Sequence, residues 1–343
     1  MASPFVIVGA GAIGGIVGAH LIRSGHDVVF IEANAAHAAS IRTHGLRLSG
    51  SLDAVVQAPV HAPGAYAGPV DRLLLAVKSR DTVEALTPLV EALAPDGYVL
   101  SLQNGLEESK IADLVGPSRT IGAYLTFGGY YADPGHIVYG GAGSFKIGEL
   151  DGARTRRVEE LQAALSSQQD VEITANIFGY LWSKMALGAV YFGTAVVDAP
   201  VLEIYEDPRF RAVLEILAGE AVGVADATGI RTETCDGFDP KVFRLDAPVD
   251  AAARRASWEA QRVYWSSHDN THTGVWRDLK IHRRKTEVEW QIGRIIQAAD
   301  AVGLPVPHLR RLKGVVESIE AGDRAQGWDA LHAVAAPVEN AGA

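Results

Sequence analysis

The stretch Val8-Gly9-Ala10-Gly11-Ala12-Ile13-Gly14 decides how the first half of the chain is read. Before it, Phe5-Val6-Ile7-Val8 is a short, wholly apolar run of the kind a buried parallel strand requires. After it, Ile13, Ile16, Val17 and Leu21 recur at helical spacing between Ala12 and Ser24. Strand, glycine-rich turn and helix in that order predict a dinucleotide-binding turn. Gly9 permits the tight turn, Gly11 lets the backbone approach a pyrophosphate at the positive end of the helix, and Gly14 lets that helix pack closely on the strand. Gly25 stops the helix, and His26-Asp27 lead into a second apolar run, Val28-Val29-Phe30-Ile31, which ends at Glu32. That carboxylate stands about twenty residues beyond the glycines, where a ribose-binding acid is expected. It accepts hydrogen bonds from a free 2′-hydroxyl and repels a 2′-phosphate, so the expected cofactor is NAD, with NADP the alternative. Gly9, Ala10, Gly11, Ala12, Ile13, Gly14 and Glu32 are its expected neighbours. The bland alternative is a glycine-rich turn in an unrelated α/β protein, which strand, helix and acid together oppose.

The chain has 343 residues, more than one core usually organises, so two domains are expected, with a boundary between residues 176 and 177. With 48% hydrophobic and 21% charged residues, the composition is that of an ordinary soluble globular protein. The formal charge of −10 opposes attraction to nucleic acid or anionic lipid, and neither is expected as a partner. The longest uncharged apolar stretch, Met185 to Val197, is too short to span a bilayer. Met1-Ala2-Ser3-Pro4 runs directly into the first strand, and a cytoplasmic setting is the expectation. Cys235 is the single cysteine, so an intrachain disulfide is excluded and a cysteine-based metal cluster is not expected.

Further along, His44 to Leu48 and Asp53 to Val56 alternate like short strands, and Val70 to Val77 is a stronger buried strand. Thr82 to Ala94 reads as a helix and Gly97 to Leu102 as a strand. Such alternation predicts a doubly wound, mostly parallel sheet of Rossmann type, with ligands at the carboxyl ends of its strands. The polar clusters Lys78-Ser79-Arg80-Asp81 and Gln103-Asn104-Gly105 stand at those ends. Val77, Lys78, Gln103 and Asn104 therefore join the expected cofactor-binding residues. Ala123 to Gly148 predicts antiparallel strands joined by turns such as Asp133-Pro134-Gly135, followed by a helix (Arg154 to Ser166) and a strand at Val171-Glu172-Ile173. Beyond about Asn176 strand signals nearly vanish. Helices are expected over Ile177 to Val197, Pro208 to Thr228, Ala251 to Ser266, Val275 to Gly303 and Pro307 to Ala321, with an alanine-rich tail after them. An all-helical C-terminal domain follows.

The order of these parts resembles the ketopantoate reductase (2-dehydropantoate 2-reductase) family over nearly the whole chain. The likeness rests on GAGAIGG at Gly9 to Gly15, AVKSRDT at Ala76 to Thr82, LQNG at Leu102 to Gly105, LWSKMAL at Leu181 to Leu187, Asp207-Pro208, KTEVEW at Lys285 to Trp290 and GLPVPHL at Gly303 to Leu309. It implies a Rossmann domain followed by a helical one, with a small-molecule substrate held between them. It also implies that Lys184 is the general acid toward the substrate oxygen, that Asn104 and Lys78 position nicotinamide and substrate, and that Glu287 contacts substrate or cofactor. The chemistry is sound without the family. Hydride arriving at a carbonyl carbon builds negative charge on oxygen, which needs a proton donor and fixed dipoles.

The sequence also departs from that family. Members that reduce ketopantoate carry asparagines four and eight residues after the lysine, where this chain has Gly188 and Phe192. The first opens volume and the second offers an apolar wall, or simply core. Gly274-Val275-Trp276 stands where a serine is usual, and Trp276 joins Lys78, Lys184, Gly188 and Phe192 as an expected pocket residue. Glu289 is the alternative to Glu287. The expectation is an NAD-dependent enzyme interconverting a secondary alcohol and a ketone, on a substrate bulkier and less polar than ketopantoate. The alternatives are an authentic 2-dehydropantoate 2-reductase and a non-catalytic NAD(H)-binding redox sensor. Structural readings compete at several sites: Lys184 as a solvated helix residue, Asn104-Gly105 as a plain turn, and Glu287 paired with Lys285 or Arg283 on a helix surface. His268 and His272 lie four residues apart without a third ligand, so no metal is expected. Residues 231 to 273 form a long polar connection that reads as a lid, an interface or an insertion, and a homodimer through the helical half is expected.

Overall fold

The computed structural model describes residues 3–267 and 271–336, and the chain divides into two compact units, Met1–Ile177 and Phe178–Ala343. In the first unit β1 (Phe5–Val8), α1 (Ala12–Arg23) and β2 (Val28–Ile31) are followed by α2 (Ala35–His44), β3 (Leu46–Gly50), β4 (Ala54–Val56) and β5 (Val60–His61). Then come β6 (Val70–Leu75), α3 (Thr82–Leu86), β7 (Leu93–Ser101), α4 (Glu108–Val115) and β8 (Thr120–Leu125). The unit closes with β9 (Gly129–Asp133), β10 (His136–Tyr139), β11 (Phe145–Glu149), α5 (Arg156–Leu165) and β12 (Glu172–Ile173).

The main sheet has the order β12-β11-β8-β7-β6-β1-β2-β5. Its run β5-β2-β1-β6-β7-β8 is parallel throughout and wound outward in both directions from β1, the Rossmann arrangement. The winding reverses between β1 and β6, where the glycine-rich turn leaves the sheet. The uninterrupted apolar runs have a plain cause, since both faces are covered. Phe5 and Ile7 enter one core with Phe30, Leu74 and Leu100, while Val6 and Val8 enter another with Leu73, Leu75 and Val99. A second sheet, β4-β3-β10-β9, includes the hairpin turning at Asp133-Pro134-Gly135.

Local chemistry accounts for the differences from the sequence reading. The helix expected over Thr82 to Ala94 stops at Leu86; Pro88 lacks an N–H, a 3-10 turn takes Thr87–Leu89, and β7 has already begun at Leu93. The α2 helix escapes a periodicity search because its sequence is nearly all alanine and polar residues, with His37, Ala38 and Ile41 buried. Its start is set by Asn34, whose side chain accepts the His37 N–H.

The second unit begins within α6 (Ile177–Ala195), whose first residue closes the other unit, and continues with α7 (Val201–Glu206), α8 (Pro208–Ala227), α9 (Ala251–Ser266) and α10 (Gly274–Arg277). It ends with α11 (Ile292–Val302), α12 (Pro307–Ala321) and α13 (Trp328–Ala335). Among its described residues there is no strand, as the fading of alternation after Asn176 predicts. The stretch read as alanine-rich tail holds α13, where Trp328 lies on Phe210 with ring centroids 4.4 Å apart.

Two expectations need correction here. The helix expected from Val275 to Gly303 is interrupted. A π-helical turn over Asp278–His282 ends on Arg283 in the left-handed region (φ 47°), the Arg284 N–H returns to the Asp278 carbonyl at 3.0 Å, and helix resumes only at Ile292. Glu287 therefore sits in a turn and not on a helix surface. Residues 231–267 pack onto neighbouring helices of this unit. Phe238 stacks on Phe243, Trp258 packs against Tyr205 and Phe243, Ser183 of α6 accepts the Glu233 N–H, and Arg254 pairs with Glu215 at 3.0 Å.

Candidate active site

The glycine-rich turn is held rigidly from below. Gly9 has φ +94°, and a Cβ there would lie 3.1 Å from the Ala76 carbonyl group. A Cβ at Gly14 would fall 2.0 Å from the Gly9 carbonyl oxygen, so α1 can lie against β1 only with glycine at that position. At Gly11 a Cβ would meet nothing within 4 Å. The turn is thus open on the side of Gly11, where no side chain caps the N-terminus of α1 and no acid stands in its first turn. Backbone N–H groups at Ala12, Ile13 and Gly14 lie in the first turn, where a helix cannot satisfy its own donors. This cradle fits an anionic pyrophosphate.

Glu32 is clamped: one carboxylate oxygen accepts the Ala10 N–H at 2.8 Å, the other the Asn34 N–H at 2.7 Å. Each oxygen keeps lone-pair capacity for a further donor. His37, not anticipated from sequence, is buried and spans the Ala10 carbonyl and the Gly135 N–H, each at 2.8 Å. Because Nδ1 accepts from Gly135, Nε2 carries the proton and donates to Ala10. Ala10 thus ties Glu32 and His37 into the turn, its N–H committed to one and a carbonyl lone pair to the other.

The strand-end loops after β6 and β7 are tied to each other. Ser79 Oγ donates to the Asn104 carbonyl at 2.8 Å, and Gln103 Nε2 donates to the Val77 carbonyl at 3.0 Å and to Thr82 Oγ1 at 2.8 Å. Thr82 in turn donates to the Ser79 carbonyl or the buried Glu107 carboxylate, which also takes the Lys110 ammonium at 2.8 Å. The Gln103 side chain is thus a buried strut between the loops, its NH2 group committed to Val77 and Thr82 and its Oε1 buried without a partner among the described residues. Lys78 and Asn104 are exposed at the two loop tips that this network fixes.

On α6, Lys184 is half-buried and Trp182, two residues before it, is buried. Phe192 is 1% exposed, a core residue with no surface left to wall a pocket. Gly188 does not open free volume either, because a Cβ there would lie 3.0 Å from Gln291 Oε1. Gln291, missed in the sequence, fills the notch. Of the two late glutamates, Glu289 pairs with Lys313 at 2.9 Å, whereas Glu287 is half-buried one turn before Gln291 and receives its N–H at 3.0 Å. Trp276 lies against His272 at 3.9 Å, with its Nε1 buried and without an acceptor among the described residues. His268 lies outside the described residues, and no group of three or more metal-ligating side chains occurs among those described.

A family model described as ketopantoate reductase PanE/ApbA matches residues 5–152, and one described as its C terminal matches residues 176–320. The chain belongs to the ketopantoate reductase family. It is therefore an oxidoreductase, NAD(P)-dependent and acting on a CH–OH group or the corresponding carbonyl. A 2-dehydropantoate 2-reductase of Pyrococcus horikoshii is 29% identical over 306 residues, covering 88% of this chain and 92% of that protein. A solved ketopantoate reductase of Ralstonia eutropha shares 27% identity with a TM-score of 0.77 over 93% of this chain and 99% of the other. D-mandelate dehydrogenase, solved with NADH and anilino(oxo)acetate, has the same fold at 20% identity, with a TM-score of 0.79 over 93% and 99% of the two chains. In this ketopantoate reductase family member, the two family-like asparagine positions on α6 are a glycine occupied from elsewhere and a core phenylalanine.

Proposed function

We propose that this ketopantoate reductase-family protein uses NADH to reduce a 2-oxo acid, and oxidises the matching 2-hydroxy acid in reverse, on a substrate less polar than ketopantoate. The observation that carries the cofactor choice is the clamped carboxylate of Glu32. It needs no reorganisation to accept a ribose 2′-hydroxyl, and it opposes a 2′-phosphate carrying about −1.5 to −2 charges. The pyrophosphate would rest on Gly11 and the N–H groups of Ala12, Ile13 and Gly14. Val77, Lys78 and Asn104 would border the nicotinamide, held by Gln103, Thr82 and Glu107.

The bound dihydronicotinamide supplies a hydride to the carbonyl carbon. Lys184 gives its proton to the carbonyl oxygen, is left as the neutral amine, and recovers a proton from solvent; in the oxidative direction the amine takes the alcohol proton. Glu287 orients the ammonium or the substrate, and Lys78 faces the substrate carboxylate. The names of relatives support the substrate class, since 2-dehydropantoate is a 2-oxo acid and mandelate a 2-hydroxy acid. The phenylalanine at 192, where asparagine is usual, supports a less polar substrate. Greater bulk has no such support, because Gln291 takes the space beside Gly188 and Phe192 is core.

We also propose a homodimer working in the cytoplasm. A solved relative from Staphylococcus aureus is described as dimeric, and no helix among the described residues is long and apolar enough to cross a membrane. Comparing NADH and NADPH under identical conditions tests the cofactor reading. At least a tenfold preference in kcat/KM for NADH is expected, narrowed or reversed in Glu32→Arg; a strong wild-type preference for NADPH contradicts it.

A further inference from the structure

We infer that Gln291 determines substrate specificity in this enzyme, its carboxamide hydrogen-bonding an oxygen of the 2-oxo-acid substrate beside Lys184. The inference rests on the function proposed above and adds to it a residue that no motif marks. Gly188 lies one helical turn beyond Lys184 on α6, so the two share a face. A side chain at 188 would meet Gln291, whose Oε1 lies 3.0 Å from where the Cβ would be and is the one atom found within 4 Å of it. Among the described residues no hydrogen-bond partner is found for the Gln291 side chain, although it is half-buried against that face. A polar amide in such a place, with its donors and acceptor uncommitted, is available to a ligand.

The segment that carries this amide is also anchored. The backbone leaves helical geometry at Arg283, and Thr286 then donates through its N–H and hydroxyl to Glu320 of α12, at 2.7 and 2.6 Å. Val288 is buried, and Glu289 pairs with Lys313 of α12. These anchors precede Gln291 in the turn before α11, and the Gln291 Oε1 then lies beside Gly188. The Glu287 carbonyl accepts the Gln291 N–H, which places the two side chains about one turn apart. The notch at 188 and the glutamine at 291 therefore work as a pair, the amide coming from the turn before α11 because α6 supplies none there.

The test uses full-length protein, steady-state kinetics over a series of 2-oxo acids that includes ketopantoate, and binding of anilino(oxo)acetate to the NADH-loaded enzyme. Gln291→Leu is expected to raise the substrate KM and the probe Kd about tenfold. Changes in kcat, NADH affinity and urea midpoint should stay small. The exchange Gly188→Asn/Gln291→Ala, which returns an amide to α6, is expected to recover probe binding to within about threefold of wild type and to raise kcat/KM for ketopantoate relative to the other acids. Equal probe binding by wild type and Gln291→Leu, or no binding by wild type, overturns the inference. Probe binding that depends on Gln291 without any turnover upholds the site and removes the proposed reaction instead.

Discussion

Lys184→Ala is expected to lower kcat by about 10²- to 10⁴-fold, the usual contribution of a positioned general acid. Affinity for NADH should be unchanged, because the cradle that would hold the dinucleotide lies in the other unit, around Gly9 to Gly14 and Glu32. Alanine is a good helix former, so α6 should persist and the loss should be chemical. Steady-state kinetics with direct measurement of NADH binding separates these effects. Turnover within threefold of wild type would remove Lys184 from the proton transfer and return it to the role of a solvated helix residue.

The second large effect separates two glycines of one motif. In Gly14→Val the new Cβ would stand 2.0 Å from the Gly9 carbonyl oxygen and 3.0 Å from the Ala76 Cβ. Neither neighbour is the end of a flexible chain, so α1 must move off the sheet, at a cost of about 3 kcal/mol or more. Gly11→Glu meets no atom within 4 Å, and φ there is −67°, so the first unit should fold normally. Its carboxylate would face the phosphate-binding N–H groups, and NADH affinity should fall at least about 100-fold by like-charge repulsion. Urea denaturation and NADH titration of both variants check the contrast. Normal NADH binding by folded Gly11→Glu would mean that the cofactor does not use this turn.

What was legible in the sequence was mostly local. The glycine turn, the apolar strands and the polar residues at their ends each announce themselves within a few residues, so Gly9, Gly14, Glu32, Lys78 and Asn104 stand out without coordinates. Less visible were residues whose roles depend on distant partners. His37 lies in a stretch with too little apolar spacing to read as a helix, and its role needs Gly135, nearly a hundred residues later. Gln103 reads as a polar residue at a strand end, yet its amide points back to Val77 and Thr82. The break before α11 was missed because residues 278–291 contain neither proline nor glycine to stop a helix. Two contacts mark it: the local return of the Arg284 N–H to the Asp278 carbonyl, and the tertiary capture of Thr286 by Glu320. That same break brings Gln291 to Gly188, which corrects the expectation of empty space there.

The most direct measurement is NADH oxidation by the purified wild-type protein across 2-oxo acids, ketopantoate included, with the products identified. Saturable turnover to 2-hydroxy acids is predicted, fastest on an acid less polar than ketopantoate. Tight NADH binding with no turnover of any 2-oxo acid, and no reverse reaction with 2-hydroxy acids, would contradict the account and leave a nucleotide-binding sensor.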